Sequence, residues 1–174
     1  MSILTRIFGG KSERDAYRPL YGEVVAIGRD PVWYRDGGVP DTVDGRFDMI
    51  AAVLALVLLR LERDGPPNAE ASVLLTELFI DDMDGSVRQM GIGDLMVGKH
   101  VGRMMGALGG RLSAFREAIA AGGGFEAAVR RNVFHEAPAS AGAVGFVSRR
   151  LEAFNRALDA QATPSLLAGE VPLP

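Results

Sequence analysis

Residues 42–64 read Thr-Val-Asp-Gly-Arg-Phe-Asp-Met-Ile-Ala-Ala-Val-Leu-Ala-Leu-Val-Leu-Leu-Arg-Leu-Glu-Arg-Asp. Eleven residues in a row, Met49 to Leu59, are apolar. A membrane-spanning helix needs about 20, so the run is too short to cross a bilayer. It reads instead as a core helix. Thr42 or Asp44 is placed to cap its start, and it runs to about Asp64. Gly65-Pro66-Pro67 is a firm stop.

The flanking sequence is helical as well. Ser12–Arg29 carries Glu13 and Asp15 in its first turn, where negative charge suits the helix dipole. Tyr17, Leu20, Tyr21, Val24, Val25 and Ile27 follow at mostly helical spacing, and Pro19 marks where a regular helix can begin. Asp30–Thr42 reads as a loop punctuated by Pro31, Gly37, Gly38 and Pro40. Asn68 is placed to cap a further helix, with Val73, Leu74, Leu75, Leu78, Phe79 and Met83 on its inward face. Gly85 is expected to break or kink it, leaving a short helix over Ser86–Met90. Asp94 is placed to cap a long helix to Ala120. Gly122-Gly123-Gly124 reads as a flexible linker, Phe125–Phe134 as helix, and Ser140–Gln161 as a last long helix after Pro138. Alternating apolar-polar runs are missing, so no strand is expected. The fold class is all-α: a single-domain irregular bundle of roughly five to seven helices over residues 12–162. Tails precede it at 1–11 and follow it, irregular, at 163–174. The first tail contains a short amphipathic piece, Ile3, Leu4, Ile7 and Phe8 with Arg6 and Lys11. Two positive charges hold a bilayer weakly, so fraying or packing on the body is expected.

Composition fits a globular protein of one domain: 174 residues, 48% hydrophobic and 24% charged. With no cysteine, disulfides, thiolate metal sites and a cysteine nucleophile are excluded, which suits a reducing compartment. Only His100 and His135 are available to a histidine metal site. No secretory signal is recognisable at the start. Residues 1–87 are net −6, residues 88–150 net +5 and residues 151–174 net −2. Such a split serves internal complementarity within one domain, or a basic face for an anionic partner such as RNA or lipid headgroups. The excess is too modest for DNA binding.

Motifs for catalysis fail one by one. Asp81-Asp82-Met83-Asp84-Gly85 lacks the calcium-loop spacing, since the fifth and sixth positions from Asp82 are Ser86 and Val87. Gly91-Ile92-Gly93 has its next glycine only at Gly98, and Gly98-Lys99 is followed by His100 rather than Ser or Thr. No Gly-x-Ser-x-Gly is present. Two non-catalytic alternatives stay open. One is a ligand site formed by Asp81, Asp82 and Asp84 with Arg88 and Arg111. The other is a ribosome- or RNA-docking module using Arg130, Arg131, Arg149 and Arg150. One pattern is unusual: Gly98, Gly102, Gly106 and Gly110 recur every fourth residue. Each glycine weakens a helix by about 1 kcal/mol relative to Ala. The stripe is either a tight internal crossing or a groove for a partner helix, with Lys99 and Arg103 beside it.

The ordered set of motifs is informative. Trp33-Tyr34 is followed by Val39-Pro40-Asp41-Thr42-Val43-Asp44-Gly45-Arg46-Phe47-Asp48, by Asp81-Asp82-Met83-Asp84, by Arg88-Gln89-Met90-Gly91-Ile92-Gly93-Asp94-Leu95 with Val97-Gly98-Lys99, and by Gly110-Arg111-Leu112 with Phe115. From about Tyr17 to Ile119 this resembles the bacterial branch of the ubiquinol–cytochrome c chaperone family. It departs where a histidine is expected after Phe47, Glu at Gln89 and an aromatic at Gly109. The resemblance implies a non-enzymatic helical assembly factor without cofactor or metal. Its client would be nascent or immature cytochrome b, with the ribosome and a small partner chaperone as further partners. It would be cytoplasmic and peripheral at the inner membrane face. It implies client contacts at Trp33, Tyr34, Asp41, Thr42, Gly45, Arg46, Phe47, Asp82, Asp84, Arg88, Asp94, Lys99, Arg103 and Arg111. The structural reading of the loop stays open beside this: Asp41, Asp44 and Arg46 as cap and ion pairs, and Trp33 as core.

Overall fold

The run at 49–58 is enclosed on all sides, as a helix with no polar face must be. A computed structural model describes residues 13–89, 97–135 and 138–174. Among them are eight helices and no strand. They are α1 (Arg18–Gly28), α2 (Pro31–Arg35), α3 (Val43–Arg63), α4 (Ala69–Gln89), α5 (Val97–Ala120), α6 (Glu126–Asn132), α7 (Ala141–Ala160) and α8 (Thr163–Leu167). A 3₁₀ turn at Pro66–Asn68 links α3 to α4. Helix α3 is the axis: α1, α4, α5 and α7 pack around it, and α6 joins α5 to α7. Burial of each Leu, Ile or Val of the run contributes about 1.5–3 kcal/mol.

Local chemistry sets the ends of α3. The Thr42 hydroxyl accepts a hydrogen bond from the Gly45 N–H at 3.1 Å, the N-cap the sequence predicts. At the other end Arg60 is buried; it donates to Leu158 O and Gln161 O, both at 2.9 Å, and pairs with Asp64 at 2.6 Å. One guanidinium thus closes α3 against the C-terminal carbonyls of α7. Ser140 caps α7 by accepting from Ala143 N–H at 3.0 Å.

Several expectations are corrected. The loop 30–42 contains helix α2, because the Asp30 carboxylate accepts from Val32 N–H at 2.9 Å and Pro31 presets the first turn. Gly85 does not break α4, which runs through Gln89 without a separate helix at Ser86. A lone glycine costs about 1 kcal/mol, less than the packing on either side supplies. Val73 does not face inward; it is 57% exposed. Gly122–Gly124 is a hydrogen-bonded turn, not a flexible linker. All three glycines have positive φ, and Gly123 N–H reaches Ala118 O at 2.9 Å. Glu152 accepts from Gly124 N–H at 3.2 Å and Phe125 N–H at 2.9 Å. Thr163–Leu167, within the segment expected to be irregular, is helical and buries Leu166. The two five-residue helices, α2 and α8, account for the excess over five to seven. The Asp94 cap and the tail at 1–11 lie outside the described residues.

Helices α1 and α3 cross closely at Gly28, where a Cβ would lie 2.7 Å from Ile50 Cα. Gly28→Ala therefore forces the axis helix outward and should lower stability by about 1–3 kcal/mol. Urea unfolding checks this; an unchanged midpoint would contradict so close a crossing.

Candidate functional site

At the start of α3 the sequence Phe47-Asp48 places an aromatic ring and a carboxylate one residue ahead of the apolar run. Asp48 is only 3% exposed, and Arg111 of α5, 2% exposed, pairs with it. Arg111 also donates to Asn132 O at 2.5 Å and Ala107 O at 2.9 Å, and its guanidinium lies 5.6 Å from the Phe47 ring centre. Phe47 in turn packs on Phe79 of α4 at 5.6 Å. The second Asp48 oxygen accepts from His135 Nε2 at 2.7 Å. His135 has φ +50°, a left-handed backbone that aims its ring at Asp48. Burial pushes the Asp48 carboxyl above the usual carboxylate range, and Arg111 and His135 offset this only in part. Burial likewise pulls the Arg111 guanidinium down. This network ties α3, α4, α5 and the end of α6 together.

The remaining residues singled out in the sequence separate into scaffold and surface. Trp33 is fully buried, donates from Nε1 to Ile27 O at 2.7 Å and lies under the Arg150 guanidinium at 5.3 Å. Tyr34 donates to Gly28 O at 2.7 Å; burial pushes its phenol up to about 12, so it stays a donor. Gly45 is buried where a Cβ would meet Pro40 O at 2.0 Å. Trp33, Gly45 and Arg111 are thus placed inside the protein, where the resemblance had led to contacts with a client. Asp41 and Arg46 are exposed and pair at 2.7 Å; the guanidinium holds the Asp41 carboxyl below the usual range. Thr42 is the cap already described.

The acidic trio does not converge with Arg111. Asp81 pairs with Arg14 at 2.6 Å, and Asp82 accepts from Tyr21 OH at 2.9 Å. Asp84 is half-buried on the same helix, and Arg103 is exposed on α5. Asp94 lies outside the described residues, as do the side chains of Arg88 and Lys99. Of the arginines assigned to ribosome docking, Arg150 is taken up by Trp33 and Phe146. Among the described residues, no group of three or more His, Asp or Glu could hold a metal ion.

The glycine stripe resolves differently. A Cβ on Gly102, Gly106 or Gly109 would meet nothing within 4 Å, and one on Gly110 only Asn132 Oδ1 at 3.8 Å. Among the described residues Gly102, Gly106 and Gly109 meet no neighbouring element and Gly110 meets only α6, so the stripe makes no close internal crossing there. Beside them runs an open groove of about 710 Å³ between α4 and α5, floored by Leu58 of α3. Val73, Ile80, Met105 and Leu112 line it, and Glu62 and Glu77 are its charged residues. Met105 is 43% exposed. The sequence reading missed this groove because Val73 fits an inward helical stripe. The one available signal was Val73 lying between Glu70 and Glu77, three and four residues away.

The family profile described as "Ubiquinol-cytochrome C chaperone" matches residues 35–173. The chain belongs to the ubiquinol–cytochrome c chaperone family. The matched span reaches further toward the C-terminus than the resemblance read at 17–119, taking in α6, α7 and α8. A crystal structure described as the Cbp3 homolog from Brucella abortus superposes with a TM-score of 0.81 at 25% identity, over 99% of this chain and 97% of that one. No curated protein matched the chain. The family is one of chaperones for ubiquinol–cytochrome c reductase assembly, and the all-α fold agrees with it.

The buried network holds α3, α4 and α5 in register with one another. Arg111→Met leaves Asp48 buried without its partner and should cost about 3–5 kcal/mol. Adding Asp48→Leu should recover much of that loss. Thermal or urea unfolding of single and double variants checks this; equal losses for both would show that the pair is not coupled.

Proposed function

We propose that the protein binds newly made cytochrome b and holds it during assembly of ubiquinol–cytochrome c reductase. One observation carries the binding site: an exposed apolar groove lies beside a helix face smoothed by glycines that the fold does not use. Gly102, Gly106 and Gly109 weaken α5 by about 1 kcal/mol each relative to Ala, with no described neighbour to offset it. Such a face lets another helix approach to backbone distance, as small residues do between membrane helices. Cytochrome b is a membrane protein, so its unassembled segments offer apolar helices of this kind. No helix among the described residues is long and apolar enough to cross a membrane, and the proposed action is peripheral to it. The reading requires binding and release, with no catalytic group.

Two measurements test it. A strain lacking the protein should lose most of its cytochrome b and assembled reductase; normal levels would end the proposal. Gly102→Leu fills the glycine face, where a Cβ meets no described residue within 4 Å. It should leave thermal stability intact or slightly raised, yet reduce cytochrome b recovered with the chaperone by about tenfold, near 1.4 kcal/mol. Undiminished recovery would move the client elsewhere.

A further inference from the structure

We propose that the groove between α4 and α5 takes an apolar helix with Lys or Arg toward one end, and that Glu77 pairs with that charge. Identifying this helix as part of the client rests on the reading above. The polar side chains of the groove select a helix over an extended peptide. Asn68, Ser72 and Thr76 line it, yet each turns back into the fold. Asn68 Nδ2 donates to Leu61 O at 3.3 Å, Ser72 Oγ to Asn68 O at 3.1 Å and Thr76 Oγ1 to Ser72 O at 2.8 Å. Both hydroxyl protons are thereby used, and Asn68 is buried. An extended peptide would bring unpaired backbone groups to a wall that cannot answer them. A helix arrives with those bonds already made.

Charge then selects which helix. Among the described residues lining the groove, the two charged ones, Glu62 and Glu77, are both acidic. Glu62, beside the Gly65–Pro66 turn, is neutralised by Arg116 at 2.7 Å. Glu77 is exposed and has no ion-pair partner among the described residues. It lies eight positions along α4 from Ala69, about 12 Å. Asp81, one turn further on, is already paired with Arg14 at 2.6 Å. The groove is therefore apolar along Val73, Met105 and Leu112 and carries an uncompensated carboxylate near Ile80. Such a surface attracts a cation at one end of an apolar partner and repels an anion there. Membrane helices have this pattern: about 20 apolar residues, with Lys and Arg gathered where the chain leaves the bilayer on the cytoplasmic side. The occupant is the cytoplasmic end of a client helix, its apolar side on Val73, Met105 and Leu112 and its basic residue at Glu77.

A labelled helical peptide of about 14 residues, roughly 21 Å long, serves as the probe. It is alanine with leucines along one side, ending in two lysines or, in its twin, two glutamines. Fluorescence anisotropy at low salt should give the lysine peptide about fivefold tighter binding to the full chain. Glu77→Gln should erase that preference and leave the glutamine peptide's affinity and the unfolding midpoint unchanged. Equal binding of the two peptides to the native chain overturns the assignment, as does a preference that survives Glu77→Gln or failure of both peptides to bind. Self-association of the chain, lost in Glu77→Lys, would make the occupant a second copy and overturn it too. Cytochrome b recovered with the chaperone should fall about fivefold in Glu77→Lys. Recovery lowered by Gly102→Leu but not by Glu77→Lys overturns the role of Glu77 and leaves the client reading standing. Recovery lowered by neither ends the client reading, while an intact peptide preference upholds the groove's choice of a basic-ended helix.

Discussion

A helix without a polar face is the constraint on which this fold rests. From Met49 to Leu58 every side of α3 is apolar and buried, so no side of it can be left to water. Four helices are needed to enclose it, and each must come close. Gly28 answers that need directly by letting α1 reach the backbone of α3 at Ile50. The cluster of alanines at 51, 52 and 55 keeps the axis slim, so that the surrounding helices also touch one another. The irregularity of the bundle follows: the outer helices differ in length and direction because they are arranged around a central rod, not in a ring of equals.

Enclosing a helix leaves the problem of its two ends, where backbone groups lose their partners. The Thr42 hydroxyl answers this at the start of α3, and near each end a buried arginine ties the helix to its neighbours. Arg60 gathers the last carbonyls of α7, and Arg111 gathers Asp48 with the carbonyls of Asn132 and Ala107. Burying a charge is unfavourable, and a buried ion pair of this kind is weak evidence for net stability. What it supplies is register. An apolar seam tolerates sliding, whereas Arg111 meets all its acceptors in one arrangement only. That arrangement fixes where α5 lies against α3, and with it the groove and the glycine face that α5 presents on its other side.

The sequence declares the scaffold more readily than the surface. The Met49–Leu59 run, the Thr42 cap, the Gly65-Pro66-Pro67 stop and the start of α7 at Ser140 are each legible because a local rule fixes them. The Pro31 helix and the Thr163 helix are not: five residues give too little periodicity to see, and the second has no side-chain cap to announce it. Trp33 is legible as a core residue as well as a binding one, whereas Arg111 is not legible as an interior one. Burial of an arginine depends on Asp48, sixty-three positions away, and no spacing rule reaches that far. Val73 failed in the opposite direction. Its spacing places it on the inward face, yet it lines the open groove and is 57% exposed. The glycine stripe was visible as a pattern, yet only the space around each Cα separates an internal crossing from an outward face.

An outward glycine face also bears on how tightly a client would be held. Glycine adds almost no apolar area of its own; its gain is close approach. Large aromatic anchors dominate tight interfaces, but Phe47, Phe79, Phe115 and Trp33 are all committed to the interior or its edge. The exposed walls are instead Val73 and Met105, and methionine adapts its shape to different partners. A surface of this composition favours shape-tolerant, moderate binding, in which affinity is governed mainly by dissociation. An assembly factor that must later yield its client to other subunits has more use for a smooth, adaptable groove than for a deep, anchored one. On the proposed reading the rigidity of the bundle and the softness of its groove are complementary. Arg111, through Asp48 and the Phe47–Phe79 contact, fixes the spacing of the two walls, while the groove between them adapts through its side chains.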